Sequence, residues 1–505
     1  MPISKVFLVG AGPGDPGLLT VRAQEVLRTA GVLIYDALAA APIVALAPAS
    51  CERIYAGKRG GDHAMPQGEI EALMIRCARE GKRVVRLKGG DPFLFGRGGE
   101  EAQVLRAAGV PFEIVPGISS ALAAPAYAGI PVTHRDHNTV LTIVSGHEDP
   151  TKDRSAIDWS RLSDPHQTLV FLMAMSNLRD IAAQLIHHGL PATQPAAVIQ
   201  DGTRPSQRVV IGTLATIADE AQRADLKAPA IVVVGTVVGM RSQIAWFESS
   251  PLFGKRVLVT RPADQSDEFA RELLRWGAQP IIAPAIAIAP PDDLRAAEQA
   301  TVEPSRYAWV VFTSVNGVRT FFDYLDARRD DARIFSGAKI AAIGLKTSQA
   351  LLQRNVYADA VPQRYVAEDL ADLLIASSRE GDAMLIYRAA GARDVLPERL
   401  NAAGRRTDVV AAYKTVFTNE PLFAQRVEES DIVTFTSAST VHGFIHNLGG
   451  AKNARRACTG KTIACIGPIT AQAARDGGLP VHVMAEEYTV DGLLAALRRE
   501  PAAAS

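Results

Sequence analysis

The stretch VVRLKGGDPFLFGRGGEE, residues 84–101, combines the features that decide the fold. Its apolar, β-branched start is typical of a buried strand, and a glycine-rich loop follows directly at Gly89 and Gly90. A helix that opens with Glu100 and Glu101 is predicted to follow the loop. This order places the loop at the carboxyl edge of a parallel sheet, which is where α/β proteins bind their ligands.

The same alternation of short apolar runs and helical patterns continues along all 505 residues and includes KVFLVG, GVLIYD, TLVFLM, AIVVVG, RVLVTRP, WVVFTS, AMLIYR and DIVTFTS. It predicts an α/β architecture with mainly parallel sheets and two to four domains. The segment ESSPLF, residues 248–253, is predicted to be a linker between a first half, residues 1–247, and a second half, residues 254–505. Within the first half we expect two subdomains, at about 1–136 and 137–247.

The composition excludes several classes of partner. Lys+Arg and Asp+Glu are both 54, so the formal net charge is zero and neither nucleic acid nor a membrane surface is an expected partner. An anionic ligand would have to meet local clusters of basic side chains. No apolar run approaches the roughly 20 residues of a membrane helix, and the four cysteines show no zinc-type spacing. We therefore predict a cytoplasmic protein that binds no metal.

A second glycine-rich turn lies in KVFLVGAGPGDPGLLTVRAQEVL, residues 5–27. It predicts a strand, a turn and a helix, with Asp15 as the N-cap and Pro16 at the first helical position. Pro13 removes a backbone donor, and Asp15 adds negative charge where a dinucleotide phosphate would sit. The turn therefore disfavours a nicotinamide dehydrogenase and suits a cationic ligand such as the sulfonium of S-adenosylmethionine.

A third stretch, VPGISSALAAPAYAGIPVTHR at residues 115–135, is followed by VSGH at 144–147. Ser119 or Ser120 is predicted to cap a helix or to hydrogen-bond a cofactor. The end of the stretch has a strand-like pattern that finishes at His134 and Arg135. His147 has two open interpretations, a surface histidine or a site residue.

Together these motifs resemble the uroporphyrinogen-III C-methyltransferases of the tetrapyrrole methylase family. The resemblance covers about residues 5–247 and includes YDAL, AGKRGGDHAMPQGEI, GIPVTHR and SGH. It implies the class III methyltransferase fold, which has two α/β subdomains with the active site between them and is not a Rossmann fold. It also implies S-adenosylmethionine as the cofactor, S-adenosylhomocysteine as its product and a homodimer formed through this half.

The resemblance further implies individual site residues. Asp36, at the end of GVLIYD, would take part in proton removal, and Lys58 is the second catalytic candidate. The implied cofactor contacts are Pro13, Gly89, Gly90, Asp91, Leu94, Ser119, Ser120, Met173 and Gly202. The basic residues predicted to pair with substrate acid groups are Arg22, Arg59 and Arg135. The positions that depart from common family residues are Ala37, Ser176 and Asp201.

The second half contains an internal repeat. Phe312-Thr-Ser314 recurs as Phe435-Thr-Ser437, 123 residues further on, and Ile340–Gly344 recurs as Ile463–Gly467 at the same offset. Two copies are too few for a solenoid. They predict two similar α/β lobes that face a cleft.

This half resembles uroporphyrinogen-III synthase over about residues 254–499. The resemblance implies a discontinuous lobe one, residues 254–285 plus 418–505, and a lobe two at 286–417. Tyr413 would face the cleft and assist loss of a hydroxyl group, although a half-buried strand tyrosine looks the same in a sequence. The implied carboxylate-binding residues are Arg261, Ser314, Ser437 and Thr470, with Arg388 and Lys414 as further candidates. Ile469 replaces a threonine of some relatives, and the serines could equally be helix caps.

Three hypotheses follow for the whole chain. In the first, the second half makes uroporphyrinogen III from hydroxymethylbilane and the first half methylates it at C2 and C7 to give precorrin-2. In the second, the first half methylates a different tetrapyrrole or another substrate. In the third, the second half is a two-lobed ligand-binding module without catalytic activity.

Overall fold

The computed structural model describes residues 2–57, 65–146 and 157–499. Its strands form four five-stranded sheets, and twelve of the sixteen strand pairings within these ranges are parallel. The predicted α/β class with mainly parallel sheets is confirmed. None of the described helices has both the length and the apolar character needed to cross a membrane.

The first sheet is wholly parallel, with the order β3-β2-β4-β1-β5. Its strands are β1 (Val6–Gly10), β2 (Val32–Tyr35), β3 (Glu52–Tyr55), β4 (Val84–Lys88) and β5 (Phe112–Val115). The accompanying helices are α1 (Val21–Leu27), α2 (Ala41–Val44), α3 (Gln67–Arg79), α4 (Gly98–Ala107) and α5 (Ser120–Tyr127). Helices α1 and α2 bury apolar side chains on one face of the sheet, and α3 and α4 do so on the other.

The second sheet has the order β6-β7-β10-β8-β9 and is largely antiparallel. Its strands are β6 (Val140–Ser145), β7 (Gln167–Leu172), β8 (Pro195–Gln200), β9 (Arg208–Thr213) and β10 (Ala230–Val234). Its helices are α6 (Leu178–His187), α7 (Ile217–Arg223) and α8 (Arg241–Ile244). This antiparallel character departs from the general expectation, because the connection of only seven residues between β8 and β9 is too short for a parallel crossover.

The second half builds two sheets. Its strands are β11 (Arg256–Val259), β12 (Gln279–Ile282), β13 (Ile286–Ala289), β14 (Trp309–Phe312), β15 (Lys339–Ala342), β16 (Ala383–Ala389), β17 (Arg406–Phe417), β18 (Ile432–Phe435), β19 (Thr462–Cys465) and β20 (Val483–Met484). One sheet is parallel in the order β12-β11-β18-β19-β20, and the other has the order β13-β17-β16-β14-β15 with β13 antiparallel. The chain passes between the sheets at β12–β13 and again after β17.

The helices of the second half alternate with these strands. They are α9 (Asp267–Arg275), α10 (Leu294–Gln299), α11 (Val315–Arg328), α12 (Leu345–Leu352), α13 (Ala367–Ser377), α14 (Val395–Ala402), α15 (Phe423–Glu429), α16 (Ala438–Asn447), α17 (Ala451–Ala457), α18 (Pro468–Asp476) and α19 (Val490–Arg499). They cover both faces of each sheet and bury separate apolar clusters there.

Two local predictions are wrong. Asp15 caps a short 3-10 turn, Pro16–Leu18, and helix α1 begins only at Val21 with Thr20 as its N-cap. The strand-like stretch before His134 forms no strand. The chain turns there because Asn138 accepts a hydrogen bond from the His134 backbone at 3.2 Å and donates to two carbonyls.

The segment between the halves packs against both of them. Glu248 accepts hydrogen bonds from Gln207 at 2.9 Å, and Ser250 donates to the carbonyl of Trp276 at 2.5 Å. Leu252 is buried in the core of the second half, and helix α9 of that half contacts the turn Pro16–Leu18. The exact domain boundaries stay a prediction.

Candidate active sites

A cavity of about 710 Å³ opens at the carboxyl edge of the first sheet, and loops of the second sheet line its other side. The predicted catalytic Asp36 lines this cavity. So do all nine predicted cofactor residues: Pro13, Gly89, Gly90, Asp91, Leu94, Ser119, Ser120, Met173 and Gly202. Motifs that are distant in the sequence therefore meet in one place, and their roles in binding stay predictions.

Three loops pack backbone to backbone at this cavity. The N–H of Gly12 donates to the carbonyl of Gly90 at 3.1 Å, and the N–H of Gly90 donates back at 2.8 Å. Both residues have positive φ, +70° and +66°, which glycine adopts without steric cost. A Cβ on Gly117, in the third loop, would stand 2.3 Å from the carbonyl oxygen of Gly90. Glycine is therefore required where these loops meet.

The loops also fix polar groups at the cavity. The Asp91 carboxylate accepts hydrogen bonds from the backbone N–H groups of Phe93 at 2.8 Å and Gly117 at 2.9 Å. Ser119 is the N-cap of α5 and accepts from the N–H of Ala121 at 3.2 Å, so its predicted capping role is confirmed. Because backbone groups hold the Asp91 carboxylate, its negative charge has a fixed position in the wall.

The wall contributed by the second sheet contains residues with an unusual backbone conformation. Met173 and Asp201 have positive φ, +57° and +50°, which is uncommon for residues other than glycine and often marks a functional site. A Cβ on Gly202 would stand 2.2 Å from the Cβ of Ala124, so only glycine fits against α5. The departures Ser176 and Asp201 both line the cavity.

Asp15 has a structural role next to the cavity. Its carboxylate accepts a hydrogen bond from the Tyr127 hydroxyl at 2.6 Å and one from the N–H of Gly17 at 2.7 Å. Burial and the nearby Asp15 raise the pKa of Tyr127, so this hydroxyl stays protonated and donates. The Tyr127 ring packs edge-on against Phe247, which links the glycine turn to the segment between the halves.

Asp36 lies between two cavities. Besides the cavity already described, it lines a shallower one of about 600 Å³ together with Tyr35, Ala37, Arg53 and Tyr55. Its side chain is 28% exposed, and its Oδ2 atom lies 3.5 Å from Nη2 of Arg86. The carboxylate is therefore accessible, as a proton acceptor requires, and the neighbouring guanidinium favours its ionised form.

The sequence reasoning missed a buried group of charges at the same edge, Arg86, Lys88 and Glu101, with Gln67 beside them. Glu101 Oε1 accepts from Lys88 Nζ at 2.8 Å, from Arg86 Nε at 3.2 Å and from Gln67 Nε2 at 3.3 Å. We call these four residues the Glu101 cluster. The signal in the sequence was a pair of basic residues two positions apart in an otherwise apolar strand.

Two of the predicted substrate arginines, Arg22 and Arg135, do not line the cavity. Arg22 lies on the exposed side of α1 and pairs with Glu113 at 2.7 Å, which lowers the pKa of that carboxyl group. Arg135 is exposed in the turn after α5 and does not line the cavity. Lys58 and Arg59 lie outside the described residues, as does His147. Among the described residues, the basic side chains that line the cavity are Arg86, Lys88, Arg97 and Arg204.

The internal repeat of the second half is visible in matching helix starts. Ser314 and Ser437 each follow a strand and cap a helix, with φ of −165° in both, and their hydroxyls accept backbone hydrogen bonds. The rings of Tyr365 and Tyr488 pack in the same way against Gly344 and Gly467. The alternative role of the serines as helix caps is therefore confirmed, and their contact with substrate stays a prediction.

Tyr413 lies on β17 and is largely buried, with its hydroxyl donating to Ser314 Oγ at 3.1 Å. Arg261 follows β11, and burial lowers the pKa of its guanidinium. That guanidinium forms no ion pair or hydrogen bond with the residues that the structure describes. The guanidinium is half-buried, and Glu268 and Asp264 are the nearby carboxylates whose charges oppose the effect of burial. A half-buried cation that no hydrogen bond holds is free to bind an anionic ligand.

The two lobes touch where Arg261 leaves its strand. Gln265 donates to Asn316 at 2.9 Å, and Asp264 pairs with Arg319 of α11. The other predicted carboxylate partners have partners inside their own lobe, since Arg388 pairs with Asp394 and Lys414 with Asp292. Thr470 is buried in the first turn of α18, whereas Ile469 beside it is 71% exposed.

Comparison with known proteins matches each half to one family. The family of tetrapyrrole (corrin/porphyrin) methylases matches residues 5–218, and uroporphyrinogen-III synthase HemD matches residues 267–495. A porphyrin biosynthesis protein HemD from Ruminiclostridium josui is 38% identical over 97% of this chain and 96% of its own length. An S-adenosyl-L-methionine-dependent uroporphyrinogen III methyltransferase from Methanosarcina barkeri is 53% identical over 46% of this chain and 92% of its own length.

Further relatives match one half only. A siroheme synthase from Methylococcus capsulatus is 51% identical, and the chain spans about half, 51%, of its length. The uroporphyrin-III C-methyl transferase from Thermus thermophilus, solved with S-adenosyl homocysteine, is 38% identical over 47% of this chain and 99% of that chain, with a TM-score of 0.41. A uroporphyrinogen III synthase from the same organism is 19% identical over 48% of this chain and 98% of that chain, with a TM-score of 0.37.

A methyltransferase half followed by a synthase half defines a bifunctional enzyme of tetrapyrrole biosynthesis. The chain belongs to the family in which a uroporphyrinogen-III C-methyltransferase is fused to a uroporphyrinogen-III synthase, and its cofactor is S-adenosylmethionine. The lining of the cavity fits that cofactor, because glycines allow a ligand to approach the backbone closely and because Asp91 and Asp201 contribute carboxylates that favour a cationic group.

Proposed function

We propose that the first half transfers methyl groups to C2 and C7 of uroporphyrinogen III, giving precorrin-2 and S-adenosylhomocysteine. One observation carries this proposal: Asp36 and the nine predicted cofactor residues line a single cavity. S-adenosylmethionine supplies the electrophilic methyl group when it is bound.

Asp36 is the proton acceptor in this proposal. Methylation of a pyrrole carbon leaves a positive charge on the ring. A nearby carboxylate stabilises this cation and accepts the proton that the ring then loses. Its Oδ2 is within 3.5 Å of the Arg86 guanidinium and its Oδ1 accepts from the Leu38 backbone at 3.1 Å, so the carboxylate is oriented but not enclosed. Lys58 stays a second catalytic candidate, outside the described residues.

A direct test supplies uroporphyrinogen III and S-adenosylmethionine carrying a ¹³C-labelled methyl group to the full chain under anaerobic conditions. We expect two labelled methyl groups, at C2 and C7 by NMR. Asp36→Asn should lose about 10²-fold or more in kcat while it binds S-adenosylhomocysteine as the wild type does. Labelling at other ring carbons would support the alternative of a different tetrapyrrole methylase.

We propose that the second half cyclises hydroxymethylbilane to uroporphyrinogen III with inversion of ring D. Arg261 and the strand-end hydroxyls of Ser314, Ser437 and Thr470 would hold substrate carboxylates, and Tyr413 would assist departure of the hydroxyl group. The half-buried guanidinium of Arg261, which forms no hydrogen bond with the described residues, and the Tyr413–Ser314 hydrogen bond support this proposal. Orientation of the linear substrate would supply much of the catalysis, since spontaneous closure gives the wrong isomer.

The alternative of a ligand-binding module makes a different prediction. Without S-adenosylmethionine, the full chain should convert hydroxymethylbilane to uroporphyrinogen III, and Tyr413→Phe should slow that step. A module without activity would bind hydroxymethylbilane and leave only the spontaneous isomer, uroporphyrinogen I, in both proteins.

We further propose that the chain forms a homodimer through its first half. This half exposes apolar side chains, among them Leu122, Val140 and Ile211, each at least 45% exposed. Light scattering on a size-exclusion column should give twice the chain mass of 53.9 kDa. A single-chain mass at micromolar concentration would refute the dimer.

We also propose a cytoplasmic location. The four cysteines are buried free thiols, as expected in a reducing compartment. Fractionation of cells that produce the full chain should find its methyltransferase activity with cytoplasmic markers, and recovery with the membrane fraction would contradict this placement.

A further inference from the structure

The Glu101 cluster is a set of buried charges placed directly beneath the methyltransferase cavity. Arg86 and Lys88 are two residues apart on β4, so both side chains point to the same face of the first sheet. Gln67 on α3 and Glu101 on α4 meet them from the helix layer that covers this face. Arg86, Lys88 and Gln67 line the cavity, whereas Glu101 is fully buried behind them.

Two cations share one carboxylate oxygen in this cluster. Lys88 Nζ and Arg86 Nε both donate to Glu101 Oε1, and Arg86 also faces Asp36 at 3.5 Å. Glu101 Oε2 is buried and accepts no hydrogen bond from the described residues. Arg86 contacts Glu101, the Leu87 carbonyl and Asp36, whereas Lys88 donates only to Glu101 among the described residues. Lys88 therefore has more N–H groups left to donate to a ligand.

Stability alone does not explain such a cluster. A buried ion pair seldom stabilises a fold more than apolar residues of the same volume would, and an unsatisfied buried oxygen costs stability further. A cation that lines a substrate cavity has a function when the substrate is an anion. Uroporphyrinogen III carries eight carboxylate side chains, two on every ring, so each reacting carbon has carboxylates nearby.

We propose that Lys88 binds a carboxylate side chain of the tetrapyrrole next to Asp36, and that Glu101 is a positioning residue that holds Lys88 in place from behind. The inference rests on the proposed methylation of uroporphyrinogen III. Its basis is the location of Lys88 on the cavity wall, one strand from Asp36, together with its bond of 2.8 Å to the fully buried Glu101.

The charge of Lys88 depends on the groups around it. Burial and Arg86 lower the pKa of Lys88, whereas Glu101 and Asp36 oppose that shift. Three more ionisable groups in the described residues face the cluster. Glu71 accepts from Gln67 at 3.1 Å, the charge of Arg97 interacts with Glu71 and Glu101, and the charge of Glu100 interacts with Lys88. Loss of the Glu101 charge therefore lowers the pKa of Lys88 further. Lys88 then loses its proton at a lower pH, and the alkaline limb of kcat/KM for the tetrapyrrole moves to lower pH.

The test compares Lys88→Met, Lys88→Arg, Glu101→Gln and Glu101→Asp in the full chain. Lys82→Met is the matched control, because Lys82 precedes the same strand and forms only exposed pairs with Glu52 and Glu80. For each variant, the kinetics of uroporphyrinogen III methylation are measured over pH. Calorimetry gives the affinity for S-adenosylhomocysteine, and fluorescence gives the affinity for uroporphyrin III, a stable octacarboxylate analogue.

We expect Lys88→Met to raise KM and the uroporphyrin Kd at least about tenfold, with unchanged affinity for S-adenosylhomocysteine. Lys88→Arg should restore part of the binding. Glu101→Gln should shift the alkaline limb to lower pH, and Glu101→Asp should reverse part of that shift. Lys82→Met should behave as the wild type.

Two results would overturn the inference. One is a Lys88→Met protein with a wild-type KM and uroporphyrin affinity. The other is a set of variants that lose thermal stability and S-adenosylhomocysteine affinity together while the surviving protein keeps its KM, because that pattern belongs to a structural role. A wild-type chain that binds uroporphyrin but does not methylate uroporphyrinogen III would refute the proposed function instead, and the binding comparison would still decide the role of Lys88.

Discussion

Replacement of Gly117 by alanine should disrupt the methyltransferase cavity and leave the synthase half intact. The new Cβ would stand 2.3 Å from the carbonyl oxygen of Gly90 and 2.8 Å from Cα of Gly10, whereas real Cβ atoms essentially never come closer than 3.0 Å. Both of these atoms and the next one, the carbonyl carbon of Gly10 at 2.9 Å, belong to the backbone, so no side chain can rotate away. The Gly90 carbonyl must therefore retreat by about 0.7 Å or more, and with it the hydrogen-bonded Gly12.

The size of the effect follows from that displacement. Overpacking of this kind costs roughly 1–3 kcal/mol, and a misplacement of about 1 Å at a site can cost roughly 10²-fold. We therefore expect S-adenosylhomocysteine to bind about 10- to 100-fold more weakly, equivalent to about 1.4–2.8 kcal/mol. Titration calorimetry measures this loss, and formation of uroporphyrinogen III from hydroxymethylbilane in the same sample reports that the second half is folded.

The matched control is Gly68→Ala. Gly68 is an exposed residue in the first turn of α3, where an added Cβ meets no heavy atom of the described residues within 4 Å, so the substitution should leave stability unchanged or raise it by less than about 1 kcal/mol. Its affinity for S-adenosylhomocysteine should equal that of the wild type. Wild-type affinity in Gly117→Ala would refute the close packing of the three loops at the cofactor cavity.

Three other predictions concern buried polar groups. Tyr127→Phe removes the hydroxyl that donates to Asp15 at 2.6 Å, so chemical denaturation should show a loss of about 1.5–3 kcal/mol, and an unchanged unfolding free energy would contradict this bond. Arg261→Met removes a half-buried cation that forms no hydrogen bond with the described residues, so thermal unfolding should show little change while the KM for hydroxymethylbilane rises about tenfold; a wild-type KM would contradict a role in substrate binding. Burial raises the pKa of Cys465 to about 12 and that of Cys458 to about 11, so neither thiol should react with a disulfide reagent at pH 8 until denaturant is added, and prompt reaction would show that they are accessible.

Local patterns account for the parts of the fold that were predicted correctly. The strand, the loop and the helix within residues 84–101 form as expected, because each depends on neighbours in the sequence. The repeat of the second half was also visible, since equal offsets between motifs do not depend on tertiary contacts. Both capping serines could be named, although the sequence left open whether they cap helices or bind substrate.

Features that depend on how elements face each other were not predictable. As a basic residue, Arg22 is a reasonable partner for a substrate carboxylate. The orientation of α1, however, directs its side chain towards Glu113 on strand β5. In the Glu101 cluster, Glu101 lies 13 positions after Lys88 and 15 after Arg86. Their contact depends on which face of α4 packs against β4, which the sequence does not show. The start of α1 was misplaced because Asp15 caps a short 3-10 turn and also binds Tyr127, 112 residues away, whereas Thr20 caps the helix.

The central claim is that one chain carries two consecutive enzymes, and turnover of hydroxymethylbilane by the full chain tests it most directly. The reaction is run anaerobically with and without S-adenosylmethionine, and the products are resolved by chromatography and mass. We predict uroporphyrinogen III without the cofactor and a doubly methylated product with it. Formation of uroporphyrinogen I alone, or of uroporphyrinogen III that remains unmethylated when the cofactor is present, would contradict the claim.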